Sequence, residues 1–208
     1  MCGFAGMVSF NGVSADKRAI DQMTSALLHR GPDEGGSYSA GSVGFGFRRL
    51  AILDLTPTAH QPMISENGQL VLVFNGAIYN YIELRRELQS LGHSFRSTGD
   101  TEVLLHAYQQ WGSDCLQRLN GMWAFLIYDR QNGRVFGSRD RFGIKPLFYY
   151  RTDRHALFAS EIKALRASGL YQGGVNWEVA SKFLLQGTLT DNEERFFTDI
   201  HQLPPGTA

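Results

Sequence analysis

The chain has 208 residues, 43% of them hydrophobic, and its 20 Lys and Arg balance 20 Asp and Glu. A net charge of zero leaves no electrostatic footprint for nucleic acid or an anionic membrane, so the expected ligand is small, with no nucleic-acid and no membrane partner. The two cysteines, Cys2 and Cys115, show no CxxC spacing, which argues against a disulfide scaffold or a zinc site and suits the reducing cytoplasm, the expected location.

In chain order, Cys2 comes first, directly behind Met1. Removal of Met1 leaves a thiol and a free α-amine on one residue. Such an amine titrates near pH ~8 and can take the thiol proton, so the residue is a nucleophile carrying its own base. The alternative is a cysteine that falls there by chance. Asp16, Lys17 and Arg18 arrive early, and no signal peptide or membrane span is expected.

The pattern over 4–10 reads as a buried strand, and 16–29 places Ile20, Met23 and Leu27 at helical spacing. The stretch 29–36 carries turn residues, and strand-like character resumes over 43–47 and 50–55. An apolar run over 70–74 predicts a strand buried on both faces, which ends in a polar turn at Asn75-Gly76. Helices are expected over 81–91, closed by Gly92, and over 101–111.

Segments 122–128 and 134–138 flank Asn132-Gly133, a tight hairpin signal, and further strands fit 147–150 and 157–159. Cys115 reads as a core residue. Helices cluster between groups of strands without strict βαβ alternation, so the expected fold class is a layered α+β domain over 2–208. The last residues, Leu203-Pro204-Pro205-Gly206-Thr207-Ala208, read as a segment that connects domains or as a terminal loop.

A cysteine nucleophile in acyl transfer needs donors for a tetrahedral oxyanion. Asn75-Gly76 supplies them if the Asn amide and the following backbone N–H converge on one oxygen; an ordinary turn is the alternative. His29, His60, His93 and His106 show no metal-ligand spacing, so no metal is expected. Neither a GxxxxGK[ST] loop nor a GxGxxG turn occurs, and no nucleotide site is expected.

Taken together, Cys2-Gly3, His29-Arg30-Gly31-Pro32-Asp33, Arg49-Leu50-Ala51-Ile52-Leu53-Asp54 and Asn75-Gly76-Ala77-Ile78-Tyr79-Asn80 resemble the amino-terminal domain of glutamine-hydrolysing asparagine synthetases. The segments 99–102, 119–125, 139–147 and 159–165 extend the resemblance over nearly the whole chain. It implies a four-layer αββα amino-terminal-nucleophile fold, two antiparallel sheets between helical layers. It implies a glutaminase in which Cys2 attacks the side-chain amide of L-glutamine, releasing ammonia and leaving a γ-glutamyl thioester.

By the same resemblance, Asn75 and Gly76 form the oxyanion hole, and Arg49 grips the glutamine α-carboxylate. The backbone of Leu50, Ala51, Ile52 and Leu53 walls the pocket, and Asp100 receives the α-ammonium; a helix cap ahead of Thr101 is the plainer reading of Asp100. Arg48 is expected to face solvent, and 139–147 to be structural. No cofactor belongs to this domain. ATP and magnesium are implied for a carboxyl-terminal synthetase domain, absent from these residues, in the same or a separate chain, and the resemblance also allows a homodimer.

One position departs from the family pattern: Ala77 stands where that pattern has Glu. Loss of one charge-assisted hydrogen bond to the α-ammonium corresponds to roughly 1.5–3 kcal/mol. Two alternatives stand beside the synthetase glutaminase: a silent scaffold that docks a synthetase, and the glutaminase domain of another amidotransferase.

Overall fold

Strand β5 (Leu70–Ile78) shows why the molecule is layered. Leu70, Leu72, Phe74 and Ile78 join one hydrophobic core, and Val71 and Val73 join another. A strand alternates its side chains between two faces, so β5 must have a covering layer on each side.

The protein is described by a computed structural model covering residues 1–187 and 195–208. One sheet runs in the order β10 (Ile200–Gln202), β8 (Phe148–Arg151), β9 (His155–Ala159), β1 (Gly3–Ser9), β3 (Val43–Arg49), β2 (Glu34–Ala40). The other runs β4 (Met63–Ile64), β5, β6 (Gly121–Asp129), β7 (Arg134–Arg139). Every pairing within them is antiparallel.

Helices α1 (Lys17–Ser25) and α5 (Ile162–Ala167) pack Ile20, Met23 and Leu165 against Ala5 and Met7 of β1. Helices α2 (Tyr81–Ser90), α3 (Asp100–Trp111) and the short α4 (Cys115–Arg118) cover the outer face of the four-stranded sheet. Between the sheets lie Phe4, Phe45, Phe47, Val71, Val73 and Leu126. The order is helix, sheet, sheet, helix, the expected αββα arrangement. Helix α6 (Trp177–Gln186) is capped by Asn176, whose side chain accepts from the Val179 amide, and it ends on left-handed Gly187.

Four local expectations are corrected. Asn75-Gly76 does not end its strand: pairing with β6 continues to Ile78 opposite Gly121. A polar pair can stay inside a buried strand when the ladder satisfies its backbone, and apolarity alone marks the end too early. Residues 50–55 form bends rather than a strand, because the Asp54 carboxylate curls the chain by accepting from the amide of Thr56 at 2.8 Å and the amide of Thr98 at 2.7 Å. Arg48 does not face solvent freely; its Nε donates to the Gly31 carbonyl at 3.0 Å. Of the turn stretch 29–36, the last residues already belong to β2, whose pairing with β3 begins at Glu34.

Buried carboxylates fasten the loops. Asp140, with no exposed surface, accepts from the amides of Trp123, Phe142, Ile144 and Lys145 at 2.9–3.2 Å, so this residue of 139–147 is structural. Glu102 accepts from the amides of Arg96 and Ser97 and from the Ser97 hydroxyl, fixing the approach to α3. Burial raises its pKa, but His106 and these hydrogen bonds outweigh burial and bring it from 4.5 to about 2. Gly31 is equally constrained: a Cβ there would lie 2.3 Å from the carbonyl carbon of Arg48.

Two outcomes follow from these contacts. Gly31→Ala should lose about 1–3 kcal/mol of stability in urea unfolding, because the clash is with backbone that cannot step aside; an unchanged midpoint would contradict that packing. Glu102, with its folded pKa depressed, contributes stability that is complete above pH 4.5 and is lost as pH falls towards 2. Glu102→Gln should therefore flatten the fall in unfolding free energy between about pH 5 and 2.5, and parallel pH profiles for the two proteins would argue against this linkage.

Candidate functional site

Side-chain parity brings the site together. On β5 the odd-numbered Val71 and Val73 face the layer between the sheets, and Asn75 and Ala77 continue that face. On β3 the same layer receives Val43, Phe45 and Phe47, which puts Arg49 on it, and on β1 it receives Phe4, with Cys2 packed beside it. Four of the expected site residues thus share one layer at one end of the two sheets. They line a single cavity of about 280 Å³ with Leu50, Gly76, Asp100 and Lys145, a size close to the small end of ligand pockets.

The Cys2 thiol is half-buried and clasped by one residue: the Leu50 amide donates to Sγ at 3.4 Å, and Sγ donates to the Leu50 carbonyl at 3.5 Å. Arg30 Nε donates to the Cys2 carbonyl at 2.8 Å and fixes the backbone behind the thiol. Asn75 is 2% exposed, and its Nδ2 is a buried donor with no protein partner. Leaving such a donor unpaired costs about 1–3 kcal/mol, a cost that a ligand oxygen can relieve.

The Gly76 amide is aimed by the ladder. Trp123, which is opposite Gly76, turns both its N–H and its carbonyl to Asp140, so the Gly76 peptide groups face the other edge of β5. On that edge Gln61 closes Phe74 from both sides, with Oε1 accepting from its amide at 2.6 Å and Nε2 donating to its carbonyl at 3.2 Å. Asp100 closes Ile78, accepting from its amide at 2.9 Å. At Gly76, between them, no side-chain hydrogen bond to the amide occurs among the described residues. A Cβ at Gly76 would lie 2.3 Å from the Met122 carbonyl oxygen, so only glycine allows this close approach.

Asp100 is the first residue of α3, one after the cap position that Gly99 takes, so it is not the helix cap, and it lines the cavity. Burial pushes its carboxyl up, against the hydrogen bonds from the amides of Ile78, Asp100 and Thr101. No cation pairs with it among the described residues, so it is a desolvated anion suited to receive a positive ligand group.

Arg49 is engaged more fully than its expected role requires. Nη1 donates to Glu34 at 2.9 Å and to the Thr56 carbonyl at 3.3 Å, and Nη2 donates to the Asp54 carbonyl. An arginine carries about five N–H donors, so a ligand carboxylate would share the guanidinium with Glu34. Of the expected wall, Leu50, Ile52 and Leu53 line the cavity; Ala51 does not, because its amide is drawn away to Asp33 at 2.9 Å.

Gln61, Glu34 and Lys145 are the site residues that pattern reading missed. Gln61 and Glu34 stand in no motif whose spacing marks them, and Lys145 was hidden in a segment whose Asp140 is structural. Among the described residues no group of three or more His, Cys, Asp or Glu is arranged to hold a metal ion, and no helix is long and apolar enough to cross a membrane.

Comparison with known proteins agrees with this geometry. The model of the glutamine amidotransferase domain family matches residues 1–208. Asparagine synthetase [glutamine-hydrolyzing] 3 of Bacillus subtilis (strain 168) is 42% identical over 211 residues, covering 100% of this chain and 34% of the relative. A putative asparagine synthetase [glutamine-hydrolyzing] 2 of Methanocaldococcus jannaschii is 40% identical over 186 residues, covering 80% of this chain and 35% of the relative. The chain thus spans about a third of the length of these relatives. Among solved structures, the glutamine phosphoribosylpyrophosphate amidotransferase of B. subtilis superposes with a TM-score of 0.68 at 24% identity, over 81% of this chain and 44% of that one, and shares the fold. By the match over its full length and by relatives at this identity, the chain belongs to the glutamine amidotransferase domain family.

Proposed function

We propose that this domain hydrolyses the side-chain amide of L-glutamine at Cys2 and that the ammonia serves an ATP-dependent synthetase of the asparagine synthetase type. The observation that carries the reading is the buried, partnerless Nδ2 of Asn75 on the same intersheet layer as the Cys2 thiol, in one cavity. With Met1 removed, the Cys2 α-amine takes the thiol proton and sulfur bonds to the amide carbon. The carbonyl oxygen becomes an oxyanion held by Asn75 Nδ2 and the Gly76 amide. The amine then returns the proton to the leaving nitrogen, the C–N bond breaks, and ammonia departs. Water hydrolyses the γ-glutamyl thioester to glutamate and restores the thiol.

Arg49 offers its remaining donors to the substrate α-carboxylate, and Asp100 receives the α-ammonium. The domain itself calls for no cofactor; ATP and magnesium belong to the synthetase partner, in the same chain or another. Two unpaired cysteine thiols support a reducing cytoplasmic setting. Ala77 supports a looser hold on glutamine than the family pattern provides, because Asp100 then meets the ammonium without a second carboxylate.

Glutaminase assays test the reading directly. Cys2→Ala should reduce turnover to background, and Asn75→Ala should lower kcat by about 100 to 1,000-fold, the usual loss for one oxyanion donor; intact-mass measurement on the active protein should show Met1 removed. Equal rates in wild type and Cys2→Ala would overturn the assignment. Ala77→Glu should lower KM for glutamine by about tenfold to a hundredfold with kcat little changed, and an unaltered KM would dismiss this account of position 77.

A further inference from the structure

We propose that Lys145 is a positioning residue of this centre, an ammonium placed to stabilise the Cys2 sulfur as thiolate when its proton passes to the α-amine; the inference rests on Cys2 being the nucleophile. Lys145 stands in the turn between β7 and β8, and its backbone is fixed at both ends. Its amide donates to Asp140 at 2.9 Å, and its carbonyl accepts from Arg139 Nε at 2.8 Å. The side chain enters the cavity that Cys2 lines and is 8% exposed. There its Nζ has Met1 Sδ as hydrogen-bond partner at 3.6 Å, a weak acceptor.

Three cations surround Cys2, and their pairing separates them. Arg30, from the turn after α1, donates to the Cys2 carbonyl and pairs with Glu161 at 2.9 Å. Arg49, at the end of β3, pairs with Glu34 at 2.9 Å. Lys145 has no carboxylate within 4.0 Å among the described residues. The acids that line the cavity are committed elsewhere: Asp54 to Thr56 and Thr98, and Asp100 to the Ile78 amide.

A buried ammonium without an anion is unfavourable, and the protein tolerates one where an anion forms during its work. Burial lowers the Lys145 pKa, with Arg30 adding to the effect and Cys2 and Asp140 opposing it. Cys2 is therefore the ionisable group in the cavity whose own charging relieves Lys145. Once Met1 is removed, the thioether that Nζ meets is gone, and the ammonium shares the cavity with Cys2. An opposite charge favours a thiolate, so the ammonium biases the Cys2 thiol towards passing its proton to the amine.

The test compares wild type, Lys145→Met and Lys145→Arg as purified chains with Met1 removed. Iodoacetamide alkylation of Cys2, followed by peptide mass across pH 5–10, reads the thiolate directly. Cys115 does not interfere, being fully buried, with burial and then Asp114 pushing its thiol up to about 12. Lys145→Met should move the acidic limb of alkylation and of kcat/KM for glutamine up by about one pH unit, costing about tenfold at neutral pH, while Lys145→Arg stays near wild type. An unmoved limb in Lys145→Met, or an equal shift in both variants, overturns the inference. A wild type no more active on glutamine than Cys2→Ala would instead overturn the glutaminase reading, and the alkylation curves would still decide the role of Lys145.

Discussion

One buried carboxylate, that of Asp140, sets the direction of the groups on which the site depends. It accepts the Trp123 amide while the Asp140 amide donates to the Trp123 carbonyl at 2.8 Å. That exchange fixes which edge of β6 each residue addresses, so Ala124 is left to pair with Asn75, and Gly76 must present its peptide to the opposite edge of β5. The same carboxylate holds the Lys145 amide and so roots a second side chain in the cavity. A buried anion is normally costly, by several kcal/mol. Here four backbone amides satisfy it, and the cost is offset by the rigidity they confer on both ends of the turn.

The edge of β5 then acts as a short substitute for a missing strand. Beyond β4, which pairs through Met63 and Ile64, the outward peptide groups of β5 make no further strand pairing among the described residues. Gln61 serves Phe74 and Asp100 serves Ile78, and between them the Gly76 amide is directed into the cavity. Exposed strand edges are usually blunted or covered. Here the covering is interrupted at one amide, and that interruption coincides with the orphan donor of Asn75.

Much of this was legible in the sequence, and the boundary is physical. Cys2, Asn75-Gly76, Arg49 and Asp100 stand in local motifs, and the structure brings them to one cavity. The α+β class was legible because helical periodicity and β-runs segregate along the chain. The extent of β5 was not, since a strand buried on both faces shows no alternation and its polar end resembles a turn. Nor were the pairings of Arg49 with Glu34 and of Gln61 with Phe74, which join residues 15 and 13 apart through the sheet and not through any local period. Asp54 misled in another way: its hydrogen bonds to Thr56 and Thr98 bend an apolar segment that would otherwise read as a strand.

The site is unequally built at its two ends, and this bears on what can vary. Around the thiol every element is doubly fixed: Leu50 clasps Sγ, Arg30 holds the carbonyl behind it, and Asn75 and Gly76 are set by the β5–β6 ladder. At the far end the fixed charges are fewer. Arg49 is shared with Glu34, and Asp100 is a single desolvated carboxylate beside the methyl group of Ala77. The Ala77 side chain takes no part in the ladder hydrogen bonds that hold β5, so a change at this position alters the field around a ligand without altering the strand that carries Asn75 and Gly76. In the proposed function, the hold on the substrate is therefore the part of Arg49, Asp100 and position 77, and the chemistry is the part of Cys2, Asn75 and Gly76, so the two are separable.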